Sequence, residues 1–108
     1  MHVEALEQVG TALVARRRRY TEGLDLLERA ATIRPGDAGV WYALGWCCEY
    51  AAHELQRRRR VEDRLDPRAI YERAAEAFRT CLSLDPEGKL RDDAADLLDH
   101  VENQLRSL

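Results

Sequence analysis

The chain has 108 residues, with 17 basic and 20 acidic side chains and a formal net charge of −3. That length holds one small domain with a modest core, and the acidic balance argues against a dedicated nucleic-acid binder, which carries a clear basic excess. The opening "MHVEALEQVG" lacks a basic leader, and no segment approaches the roughly 20 apolar residues that cross a bilayer, so a cytoplasmic chain without a membrane span is expected. Cys47, Cys48 and Cys81 fit reduced thiols acting as small buried side chains. With only His53 nearby, they predict no metal and no cofactor.

In chain order, "VEALEQVGTALVARR" places Val3, Leu6, Val9 and Leu13 at helical spacing, closed by Arg16, Arg17, Arg18 and Arg19. "YTEGLDLLERAATIRP", Tyr20 to Pro35, is a second helix that proline stops. "DAGVWYALGWCCEYAAHEL" begins a third near Asp37, a suitable N-cap. Ala51, Leu55 and Val61 continue its apolar stripe through a stretch without glycine or proline, which contains Arg57, Arg58, Arg59 and Arg60. A short link is expected near Glu62 to Leu65. Asp66 and Pro67 read as N-cap and first position of the next helix, with Leu65 and Ile70 placed for a hydrophobic staple. That helix contains "YERAAEAFRTCLSLDP", Tyr71 to Pro86. The last segment sets Leu90, Ala94, Leu97, Val101 and Leu105 on one stripe, against Asp92, Asp93, Asp96, Asp99 and Glu102. It reads as a solvating terminal helix or as a self-association face.

The second and fourth helices repeat one another. From each tyrosine, a small residue follows at +3 (Gly23, Ala74), a large apolar one at +7 (Leu27, Phe78) and a small one at +10 (Ala30, Cys81). An apolar residue at +13 (Ile33, Leu84) and a proline at +15 complete the match. Small residues at fixed helical positions let a partner helix approach closely, so each segment should close an antiparallel helix pair. With Trp41-x2-Leu44-Gly45, Ala74-x3-Phe78 and Pro86, the pattern resembles the tetratricopeptide repeat. The resemblance implies an all-α, TPR-like α-solenoid of two antiparallel helix pairs plus a C-terminal capping helix. Repeat 1 would cover about 3–36, repeat 2 about 37–87 and the cap about 89–107. Pro35 and Pro86 lie 51 residues apart against a usual period of about 34, so roughly 17 residues are inserted within 46–70. Divided between two helices, they would add about two turns to each, projecting the second hairpin.

In this family the first helices line a groove that binds peptides, which implies a protein–protein interaction module with a protein partner. The corresponding face carries Tyr42, Trp46, Glu49, Tyr50 and His53; the aromatics follow an i, i+4, i+8 stripe and either anchor a partner or pack on the first helix. With scattered histidines, no glycine-rich phosphate loop and no nucleophile beside a base, no catalytic activity is expected. A homodimer is expected, because two repeats make a thin core. The arginine runs read as solvated helix ends matched to the helix dipole, each wrapped around its helix. An acidic protein partner or nucleic-acid phosphate remains an alternative through Arg57 to Arg60.

Overall fold

The structure is a computed structural model that describes residues 2–58 and 65–108. Among these residues the chain forms five α-helices and no strand: α1 (Val3–Ala15), α2 (Tyr20–Ile33), α3 (Ala38–Arg58), α4 (Pro67–Leu84) and α5 (Arg91–Ser107). The residues between them explain the boundaries. Asp37 caps α3 by accepting from the Gly39 amide at 2.9 Å, and the Trp41 indole donates to the Pro35 carbonyl at 2.8 Å, which ties the α2–α3 turn to the new helix. Asp66 accepts from the Arg68 amide at 3.2 Å with Pro67 beside it, so α4 starts where the sequence places it.

The α1–α2 turn is built differently. Arg17 N–H donates to the Ala12 carbonyl and Arg19 N–H to the Leu13 carbonyl, while Arg18 takes the left-handed conformation with φ 57. This is the helix-ending geometry that glycine usually supplies. The expectation that Arg16 to Arg19 wrap around a helix is therefore corrected for this run: α1 ends at Ala15, and the four arginines form the link. The terminal carbonyls Ala12 and Leu13 are occupied by backbone amides before any guanidinium is needed.

Glycines set the helix spacing. A methyl group on Gly10 would come 2.8 Å from the Gly23 carbonyl oxygen, and one on Gly23 would come 2.7 Å from that of Gly10. Gly45 lies flat against Phe78, where a methyl would sit 2.7 Å from the ring. These contacts, with the Tyr71 hydroxyl on Gln56 at 3.3 Å, make α1/α2 and α3/α4 antiparallel pairs. α5 runs antiparallel along α4, held by Arg79 on Glu102 at 2.9 Å and by Arg68 on the Leu105 and Leu108 carbonyls at 3.1 and 2.9 Å. Between the pairs, Thr11 meets Cys47 across α1 and α3, and Arg73 of α4 pairs with Glu28 of α2. Tyr20, Tyr71, Phe78, Leu6, Leu24 and Leu27 are the largest side chains of the resulting core.

Several expectations shift. The buried stripe of α1 is Val3, Leu6, Gly10 and Val14, whereas Val9 is 45% exposed. The helix is rolled so that Gly10 faces Gly23, and that roll carries Val9 out. Ile33 and Leu84, matched at +13, are exposed in the last turns of their helices. The insertion does lengthen helices, but unevenly: α3 has 21 residues against 13 in α1, and α4 has 18 against 14 in α2. The added part of α3 is seated rather than free, since Ala51, Ala52, Glu54 and Leu55 are all buried. The expected link at Glu62 to Leu65 and the stripe position Val61 lie outside the described residues, apart from Leu65, which packs on the core.

Two stability outcomes follow. Gly45→Ala should cost roughly 1–3 kcal/mol by overpacking against the Phe78 ring, and Phe78→Leu in that background should recover part of the loss. Purely additive melts in this double-mutant cycle would mean that the two residues do not touch. Arg18→Gly should stabilise the fold by up to about 1 kcal/mol, because a left-handed residue with a Cβ costs on the order of 1–2 kcal/mol; chemical denaturation measures this.

Candidate functional site

The face of α3 between α1 and α5 carries the residues that the sequence singles out, and the structure divides them. Trp46 and Tyr50 stack with ring centroids 5.5 Å apart and planes 13° from parallel, both half-buried. One turn of spacing puts these rings above one another, and the stack holds them in place without enclosing them. His53 lies beside this stripe and is exposed. Tyr42 and Glu49, on the same side, turn toward α5. Tyr42 is half-buried, edge-on to Phe78 at 6.0 Å. Its phenol is pushed above the ordinary value by burial, with the Asp93 carboxylate adding to the shift. Glu49 is half-buried with His100 Nε2 4.0 Å from its carboxylate. Tyr42, Trp46 and Tyr50 are all partly buried against the core, Tyr42 at Phe78 and the other two stacked on one another, and His53 is exposed.

His100 and Asp93 join this region from α5, a meeting that no spacing along the chain signals. Their positions on α5 match the side opposite Leu98 and Glu102, but which helix that side meets depends on how α5 docks. A second concavity lies on the other side of the molecule. It is a cleft of about 510 Å³ between α2 and α4, walled by Ala31, Pro35, Trp41, Leu44 and Ala77, with the Glu28–Arg73 pair at its edge.

The second arginine run is anchored by a residue the sequence reading passed over. Glu54 accepts from Arg57 at 3.3 Å and Arg58 at 3.0 Å, spacings of i+3 and i+4 that were legible on the helix. These two bonds hold its carboxyl below the ordinary range. Asp66 caps α4 and is not paired with Arg57 or Arg58. Arg59, Arg60, Glu62 and Asp63 lie outside the described residues.

The cysteines are poor nucleophiles. Burial pushes the Cys47 thiol up to about 11 and the Cys48 thiol up to about 12, with Thr11 and Arg73 respectively opposing the shift in part. Among the described residues, no three His, Cys, Asp or Glu side chains are grouped to hold a metal ion, and no helix is long and apolar enough to cross a membrane.

No protein-family model matches the chain, and neither a curated protein nor a solved structure matches it.

The thiol environment sets a pH dependence. A folded-state value raised above the unfolded value, about 8.5 for a thiol, gives stability that is complete below the unfolded value and lost as pH rises through the folded one. The melting temperature should be flat from about pH 6 to 8 and decline above about 8.5. The Cys47→Ala/Cys48→Ala variant should show a shallower decline between about 8.5 and 10, before tyrosine ionisation begins. Equal slopes in thermal melts of the two proteins would contradict the burial of these thiols.

Proposed function

We propose that the chain is a tetratricopeptide-like interaction module, without catalytic activity, that binds an extended or helical segment of a protein partner along α3. In this arrangement α1, α3 and α5 are the inner helices, α2 and α4 the outer ones, and α5 closes the array. The antiparallel pairing, the glycine against a large residue in both pairs, and the single helix laid on α4 support the reading. The observation that carries it is the Trp46–Tyr50 stack: two large rings, held parallel at 5.5 Å, yet left half-buried between α1 and α5. Aromatic rings with little rotational freedom are effective partner anchors, because their burial on binding costs little further ordering.

The experiment is selection of peptides from a displayed library on the immobilised chain, followed by titration of the enriched peptides. Trp46→Ala and Tyr50→Ala should each weaken binding about tenfold or more, which corresponds to about 1.4 kcal/mol. Because both rings also pack on the core, circular dichroism and melting curves first establish that each variant is folded. Peptides whose binding ignores these two substitutions but responds to changes at Thr32 or Glu76, which line the cleft between α2 and α4, would place the site on the other side of the molecule.

A further inference from the structure

Two arginine runs some forty residues apart in sequence share one end of the fold. The helix directions require it. α1 and α3 run side by side with Thr11 at Cys47, and α3 and α5 run side by side with Glu49 at His100. The antiparallel α2 and α4 therefore begin where α1, α3 and α5 finish. Arg16 to Arg19, Arg57, Arg58, Arg68 and Arg106 all belong to that end. Tyr20, fully buried at the start of α2, belongs to that end as well. The eight extra residues of α3 bring this about. A helix of α1's length starting at Ala38 would stop at Tyr50, before Glu54, Arg57 and Arg58.

The arginines at this end differ in their partners. Arg57 and Arg58 share Glu54, Arg19 lies 3.9 Å from Glu22, Arg68 caps α5, and Arg106 donates to Asn103. Among the described residues, Arg16, Arg17 and Arg18 have no carboxylate partner, and all three are exposed. At the end of α1, backbone amides take the Ala12 and Leu13 carbonyls. Their backbone is held in a tight turn with Arg18 at positive φ, so three adjacent guanidinium groups fan from one fixed point.

We infer that Arg16, Arg17 and Arg18, with Arg57 and Arg58 at the same end of the fold, form one anion-binding surface that docks a short acidic segment of a partner protein. Nucleic acid fits less well. The rings nearest this end, Tyr20 and Tyr71, are fully buried and offer no stacking platform for single strands. A duplex would extend beyond the end and meet the exposed acids of α5, including Asp99, while the chain as a whole is at −3. A flexible run of Asp or Glu can stay within the patch. The surface is separate from the Trp46–Tyr50 face and does not rest on the function proposed for it.

The test is fluorescence anisotropy with a labelled ten-residue glutamate peptide and the full chain. Binding should be measurable at about 50 mM salt and weaken about tenfold or more by about 300 mM, where screening shortens the reach of exposed charges. Arg16→Gln/Arg17→Gln/Arg18→Gln should abolish it. Arg29→Gln/Lys89→Gln/Arg91→Gln, the same change in net charge placed elsewhere, should leave it within about twofold, a small fraction of the tenfold step worth about 1.4 kcal/mol. Melting curves establish that both variants are folded, and an unfolded triple variant would be replaced by the single Arg17→Gln, expected to weaken binding severalfold. Equal loss in the two triple variants would overturn the inference in favour of a net-charge effect. A single- or double-stranded DNA of matched charge that binds more tightly than the peptide would overturn it in favour of nucleic acid. Salt-sensitive self-association without peptide binding would overturn it in favour of a second copy of the chain.

Discussion

The close approach of helices at glycine is the constraint from which the other features descend. Gly10 and Gly23 let two backbones nearly touch, and Gly45 lets the Phe78 ring lie on the α3 backbone. Helices that pack this closely cannot roll freely, because rolling either one drives a side chain into the space the glycine leaves. The roll of α1 is fixed with Val9 outward. The roll of α3 is fixed with Leu44, Cys48 and Leu55 inward, which leaves Trp46 and Tyr50 at the edge of the core and His53 exposed. The accessible aromatic stack is thus a consequence of the Gly45–Phe78 contact on the far side of the same helix.

The join between the two hairpins is less intimate, and it is polar where it is exposed. Glu28 and Arg73 reach across from α2 to α4 above the buried Cys48, while Thr11 reaches Cys47 between α1 and α3. Small side chains fill the interior of this seam, and a charged pair closes its rim. An exposed ion pair adds little stability, so its contribution is to the register of one hairpin on the other. The cleft walled by Trp41, Leu44 and Ala77 is the space this seam leaves open.

Much of this was legible in the sequence, and what was not has a common cause. Asp37 and Asp66-Pro67 start helices as read, because capping is a local interaction between neighbours in sequence. The paired positions Gly23/Ala74, Leu27/Phe78 and Ala30/Cys81 are all buried, because periodicity reports a helix face directly. Periodicity does not report how far that face extends or which helix it meets. It therefore set Val9 on the apolar stripe of α1, although the glycine contact turns it away. It also put Tyr42 with the open aromatics, although Phe78 and α5 claim it. His100 beside Glu49 is a juxtaposition across the fold, which no spacing along the chain encodes. Glu54 is the exception: its bonds to Arg57 and Arg58 are local, and the pattern was there to be read.

The long α3 ties the two candidate surfaces together. Its first thirteen residues reproduce the span of α1 and end at Tyr50, the lower ring of the aromatic stack. The following eight add His53, the buried Glu54 and the two arginines it holds. A bare extension carrying Arg57 and Arg58 toward Arg16 to Arg18 would be opposed by repulsion between like charges, at separations where screening is incomplete. Glu54 offsets that repulsion from a position that solvent barely reaches, between the runs and next to Tyr20. One carboxylate thereby permits a cluster of arginines that an isolated helix end would not favour. Among the described residues, Arg16, Arg17 and Arg18 of the α1–α2 link have no carboxylate of their own, whereas Arg19 lies near Glu22. In the proposed arrangement, a partner lying along Trp46 and Tyr50 toward the end of α3 would run directly into this positive end.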